Sequence, residues 1–155
     1  NQTPEEAVQF LARVRPMVGD EGYLLIGVDL KKDVDILNRA YNDAAGYTAN
    51  FNLNLLHRMK RELGAQLDVS NFAHDAFYNE AAGRIEMHLI SQRDQSVELG
   101  GQSFSFKKGE SIHTENSYKY SIADFEDLAR QSGFEALKSW TDADNLFSIH
   151  YMRAV

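Results

Sequence analysis

The stretch Tyr23-Leu24-Leu25-Ile26-Gly27-Val28, closing on Asp29-Leu30-Lys31-Lys32-Asp33, decides the fold class. So dense an apolar run, ended by charge, reads as a buried strand rather than an alternating surface one. The residues before it have the other period. Ala7, Val8, Phe10, Leu11 and Val14 mark one face of a helix over residues 4–17. Thr3 suits its N-cap, Pro4 its first position, Glu5 and Glu6 complement its dipole, and Pro16 and Gly19 punctuate its end. A helix feeding a dense strand is half of a βαβ unit, which implies a parallel sheet whose earlier strands lie before residue 1. In such sheets ligands collect beyond the carboxyl ends of the strands, where Asp29 would sit.

Outward from this stretch, residues 33–41 and 48–63 read as helices separated by a loop at 42–46, and residues 65–83 as loop or short helix. The period then changes to two, with Ile85, Met87 and Leu89 on one face of a strand. Short strands at 97–99 and 103–106 flank a turn at Gly100-Gly101. Ser121 caps an amphipathic helix carrying Phe125, Leu128 and Ala129, which Gly133 stops. Two strands, 134–141 and 147–152, surround a turn at 142–145. The expected architecture is α/β: residues 1–30 and 120–155 belong to a Rossmann-like domain, and residues 31–119 form an inserted α+β lobe that binds substrate.

Bulk properties remove several function classes. With 43% hydrophobic and 25% charged residues the chain is an ordinary globular one, and its net charge of −7 with scattered basic residues opposes nucleic-acid binding. Without cysteine there is no disulfide framework and no thiolate nucleophile or metal ligand. The apolar run at 23–28 is too short to span a bilayer. A cytoplasmic location is expected. The helix signal beginning almost at Asn1 suggests that an earlier half of the protein precedes this chain.

The densest chemistry lies in Ile112-His113-Thr114-Glu115-Asn116-Ser117-Tyr118-Lys119-Tyr120. A carboxylate, an amide, hydroxyls and a lysine close together suit a pocket for a small polar molecule. In an extended segment Glu115 and Ser117 point to one side. A carboxylate and a hydroxyl can grip an imidazole, which offers one N–H donor and one acceptor. The plainer alternative pairs Glu115 with Lys119 and has Ser117 cap a turn. Met87 is by pattern a core residue, although a thioether is also a soft neighbour for an aromatic ring. Tyr41, Tyr78, Asn52 and Asn54 read equally well as structural, and Asn1 as a frayed terminus. His57, His74, His88, His113 and His150 show no metal-ligand spacing, and no Walker, G-x-S-x-G or G-x-G-x-x-G motif occurs.

Five ordered segments resemble the S-adenosylmethionine-dependent histidine Nα-methyltransferases of ergothioneine biosynthesis. They are Gly27-Val28-Asp29-Leu30-Lys31-Lys32-Asp33, Phe51-Asn52-Leu53-Asn54-Leu55-Leu56, Phe77-Tyr78-Asn79-Glu80, Ile85-Glu86-Met87-His88-Leu89 and Thr114-Glu115-Asn116-Ser117-Tyr118-Lys119. The resemblance implies a class I methyltransferase fold, with S-adenosylmethionine as cofactor and L-histidine converted to trimethylhistidine (hercynine). It implies that Glu115 and Ser117 hold the imidazole, that Met87 lies against it, and that Tyr41 and Asn1 bind the amino-acid end. The glycine-rich cofactor loop of that family does not occur in these residues, so the chain is expected to be a C-terminal part that needs the N-terminal half to act. Two rivals are an N-methyltransferase for another aromatic amino acid and a non-catalytic amino-acid-binding lobe.

Overall fold

The computed structural model describes residues 1–155. In chain order the elements are α1 (Pro4–Val18), β1 (Tyr23–Asp29), α2 (Val34–Tyr41), α3 (Tyr47–Leu63), a 3-10 turn (Val69–Asn71), β2 (Phe72–Asn79), β3 (Arg84–Ser91), β4 (Gln95–Leu99), β5 (Gln102–Phe106), β6 (Ser111–Tyr118), α4 (Ile122–Gln131), β7 (Phe134–Thr141) and β8 (Phe147–Ala154). They form two compact units: Asn1–Asp33 with Glu80–Arg84 and Ser117–Val155, and Val34–Asn79 with Ile85–Asn116.

In the first unit α1 begins with a reciprocal capping box, in which the Thr3 and Glu6 side chains each accept from the other's backbone N–H. Pro16 does not end the helix. It removes one N–H from the ladder near the C-terminal end, yet the helix continues to Val18 before Gly19 takes a φ of 77°. The sheet has the order β1-β8-β7, and both pairings are antiparallel. The parallel partners expected for β1 are therefore not among these strands. β7 and β8 form a hairpin held by Asp142, whose Oδ1 accepts from the backbone N–H groups of Leu146 and Phe147, and β8 returns along β1. These bonds lower the Asp142 pKa, that from Phe147 most strongly.

β1 is also less buried than its composition suggests. Leu24, Ile26 and Val28 pack into a core with Leu11, Phe125, Leu128, Phe134 and Met152, while Leu25 on the other face is 63% exposed. The run thus alternates between a covered and an open face. Below it His150 is fully buried: its Nε2 lies 3.0 Å from the Ser148 hydroxyl, which donates to the carbonyl of Val28. Desolvation lowers the His150 pKa, so the ring is held neutral.

The second unit is built on the sheet β2-β3-β6, with a separate β4–β5 hairpin. Gly100 and Gly101, with φ of 60° and 77°, supply the positive dihedrals that a two-residue hairpin turn requires. Ile85, Met87 and Leu89 are buried, as the alternation predicts. Leu37 of α2 closes on Ala76, Ile85 and Met87, and Leu56 of α3 on Phe72, Leu89 and Val97. β2 is the strand missing from the sequence reading. Its buried residues, Phe72 and Ala76, are four apart with His74 and Asp75 between them, which hides a period of two. No helix is long and apolar enough to cross a membrane.

Position within this framework sets the cost of truncation. Phe134→Ala, at a fully buried ring, is expected to lower stability by about 3–5 kcal/mol. Leu137→Ala on the same strand, at a half-exposed side chain, is expected to cost under about 1 kcal/mol. Urea unfolding of both variants beside the wild type measures the contrast.

Candidate functional site

Within the first unit, the carboxyl end of β1 and the residues after β6 are tied together by backbone. Lys31 N–H donates to the Tyr120 carbonyl (3.0 Å), Tyr120 N–H to Asp29 (3.3 Å) and Lys119 N–H to Gly83 (2.9 Å). This junction carries a charged network. The side chain of Lys119 is fully buried, and its Nζ lies 2.7 Å from Asp29 Oδ2 and 2.8 Å from Ser117 Oγ. Asp29 Oδ1 takes Lys32 Nζ at 2.5 Å. Burial works to raise the Asp29 pKa, but the hydrogen bonds and charges of Lys119 and Lys32 outweigh it and the pKa is lowered. Nearby, the bond from Lys31 Nζ (2.7 Å), followed by the Ser121 backbone N–H, brings Asp124 down to about 2.

An open cavity of about 440 Å³ in this unit is lined by Asn1, Gly27, Asp29, Ser117, Tyr118 and Phe125, among others. Two residues singled out by sequence, Asn1 and Ser117, thus line one cavity. A neighbouring cavity of about 290 Å³ is lined by Lys31, Gly83, Lys119, Tyr120 and Asp124, among others. The sequence reading anticipated Asp29 at a ligand-facing strand end but gave Lys119 no such place. It also offered Lys119 as the partner of Glu115 and Ser117 as a turn cap. Both alternatives are corrected: the ammonium pairs with Asp29, and Ser117 stands in β6 as its hydrogen-bond acceptor. Only a long-range ion pair could have shown this, and local spacing carries no trace of one.

In the second unit Tyr41 packs against the cluster that contains Met87, which is 2% exposed. The end of α2 is fixed there by a buried polar chain. Thr114 Oγ1 donates to Asn52 Oδ1 (2.7 Å), Asn52 Nδ2 donates to His74 Nδ1 (3.0 Å), and His74 Nε2 donates to the Tyr41 carbonyl (2.8 Å). Asn52 also donates to the His88 carbonyl (3.0 Å). Asn52 is therefore structural, joining α3 to all three strands of the sheet. Glu115 is half-buried on β6, two residues beyond the exposed His113. The donor atoms of Glu86, His88 and His113 lie within 4.8 Å of one another. Spacing along the chain did not suggest this meeting, because it joins β3 to β6.

A family model described as histidine-specific methyltransferase, SAM-dependent, matches residues 1–154. The chain belongs to this family. A histidine N-alpha-methyltransferase of Mycobacterium tuberculosis is 37% identical over 151 residues, covering 96% of this chain and 47% of that protein. The enzyme of the same name from Mycolicibacterium smegmatis is 36% identical over 151 residues, with the same coverage of 96% and 47%. An L-tryptophan methyltransferase of Psilocybe serbica is 28% identical over 133 residues, covering 84% of this chain and 37% of that protein. The chain spans about half the length of the first two of these curated relatives.

In this member of the histidine-specific methyltransferase family the Asp29–Lys119 pair has a measurable signature. Asp29→Asn leaves a buried ammonium without its carboxylate and is expected to cost about 3 kcal/mol, whereas adding Lys119→Met should recover most of the loss. Because the folded-state pKa of Asp29 is lowered, its contribution is complete above about pH 4, the unfolded value, and disappears as pH falls through the folded value. Urea unfolding of the single and double variants at pH 7 and at pH 3 checks both statements.

Proposed function

We propose that the protein containing these residues methylates the α-nitrogen of L-histidine, with three successive transfers giving trimethylhistidine (hercynine), a step of ergothioneine biosynthesis. Family membership and the names of the two mycobacterial relatives support the reaction class. The observation that carries the substrate assignment is the bond between Lys119 and Ser117. An ammonium can only donate, so Ser117 Oγ accepts from it and must direct its own proton elsewhere. In this reading the Ser117 hydroxyl, one lone pair of which is taken by Lys119, donates to the bare ring nitrogen of a neutral imidazole, while the Glu115 carboxylate accepts from the ring N–H. An indole has no ring acceptor for Ser117 to serve.

In this reading Met87 supplies a polarizable contact for the ring, and Tyr41 and Asn1 hold the amino-acid end. Asn1 and Ser117 lining one cavity supports the role of Asn1. S-Adenosylmethionine, when bound, supplies a methyl carbon carried on a sulfonium. No glycine-rich loop of the dinucleotide type occurs in residues 1–155, and the groups described above are read toward the amino acid alone. That methyl would pass in line to the neutral α-amine, the N–C bond forming as the C–S bond breaks, and the amine would have to shed a proton before each further transfer. Such a reaction depends on alignment more than on acid–base groups. Anchoring the ring at Glu115 and Ser117, away from the amine, leaves the nitrogen room to turn between transfers.

Full-length protein incubated with S-adenosylmethionine and an equimolar mixture of histidine and tryptophan tests the reading by mass spectrometry. Mono-, di- and trimethylhistidine are the expected products; methylation of tryptophan alone would overturn the imidazole assignment. Glu115→Ala and Ser117→Ala are each expected to raise KM for histidine by about tenfold or more, with a smaller change in kcat. Replacing Glu115 by Ala together with Met87 by Val should shift preference toward larger rings, and unchanged histidine affinity in that variant removes both residues from the site.

A further inference from the structure

We propose that Glu86, His88 and His113 form a binding site for a divalent transition-metal ion of the zinc class, joining β3 to β6. Glu86 and His88 are two residues apart on β3, so strand alternation puts them on one face. Their donor atoms, Glu86 Oε2 and His88 Nε2, are 3.2 Å apart. Adjacent ligands of a tetrahedral zinc ion with bonds of about 2.0–2.1 Å stand about 3.3 Å apart. This pair therefore already has the separation of neighbouring metal ligands, with a proton between them where the ion would lie.

The third ligand comes from the neighbouring strand. The His113 ring stacks on His88 with centroids 4.6 Å apart and planes 18° apart. His113 is exposed and its Nε2 is held by the Glu115 carbonyl at 3.2 Å, so a turn of this one surface side chain brings its nitrogen in. Two imidazoles and a carboxylate are the donor set preferred by Zn²⁺ and, among other ions, by Fe²⁺, Ni²⁺ and Cu²⁺, rather than by Mg²⁺ or Ca²⁺.

The surroundings orient the ligands as the outer shell of a metal site does. Asn79 Nδ2 donates to Glu86 Oε1 at 3.0 Å, and Oε2 is the oxygen that meets His88. Phe77 stacks on His88 with centroids 5.3 Å apart and planes 13° apart, which fixes the plane of the imidazole. Binding would displace the proton shared by His88 and Glu86 into solvent. Three protein ligands leave a fourth position open to water.

The test uses untagged full-length protein, stripped with chelator and kept free of histidine. Equilibrium dialysis against Zn²⁺ should give one equivalent per chain, and Cu²⁺ in its place should show two nitrogen ligands by electron paramagnetic resonance. His113→Ala removes an exposed side chain, and Glu86→Gln keeps an amide oxygen for Asn79 while removing the charge; each is expected to weaken Zn²⁺ binding by about tenfold or more. Zn²⁺ should raise the melting temperature of the wild type and not that of His113→Ala. Absence of stoichiometric uptake by the wild type overturns the site. So does uptake that neither substitution weakens, and so does a copper spectrum without two nitrogens.

Discussion

A buried lysine ammonium is the constraint on which the candidate site depends. Lys119 has no exposed side-chain surface, and its charge is tolerable only because Asp29 faces it at 2.7 Å and Ser117 accepts a further hydrogen bond. That requirement explains why two segments distant in the chain are joined by backbone bonds at the same place. It also takes one of the two acceptor lone pairs of the Ser117 hydroxyl. Ion pairing and strand placement here follow from a single charge.

The second unit solves a similar problem without charge. Asn52 is 1% exposed and donates to His74 and the His88 carbonyl while accepting from Thr114. The direction of each bond selects the tautomer of His74, which must carry its proton on Nε2 to serve Tyr41. A neutral network of this kind specifies one register between helix and sheet, since a shifted α3 would leave several buried groups unpaired.

Elements with local signatures were legible in the sequence. The Thr3 and Ser121 caps, the alternation of Ile85, Met87 and Leu89, and the paired glycines at 100 and 101 each act over a few residues. What was not legible depends on partners far along the chain. The direction of the sheet around β1 is set by β8, and β2 carries too little apolar alternation to announce itself. Candidate residues were legible as chemical types, and the family resemblance drew them into one set. Their neighbours were not: nothing near Lys119 in sequence points to Asp29, and nothing near His113 points to Glu86.

The layout of the first unit has a consequence for how the chain acquires its structure. β1 pairs only with β8, Tyr23 opposite Arg153 at one end and Asp29 opposite Phe147 at the other. The bonds from β1 to β8 therefore cannot form during synthesis until nearly the whole of this sequence has emerged. The second unit closes over much shorter loops, within residues 34–116, and its entropic cost of closure is correspondingly lower. In the interval Leu24, Ile26 and Val28 have Leu11 of α1 beside them but neither Phe125 and Leu128 of α4 nor Met152 of β8, and this core is incomplete. Residues 122–154 thus complete a core that α1 and β1 begin.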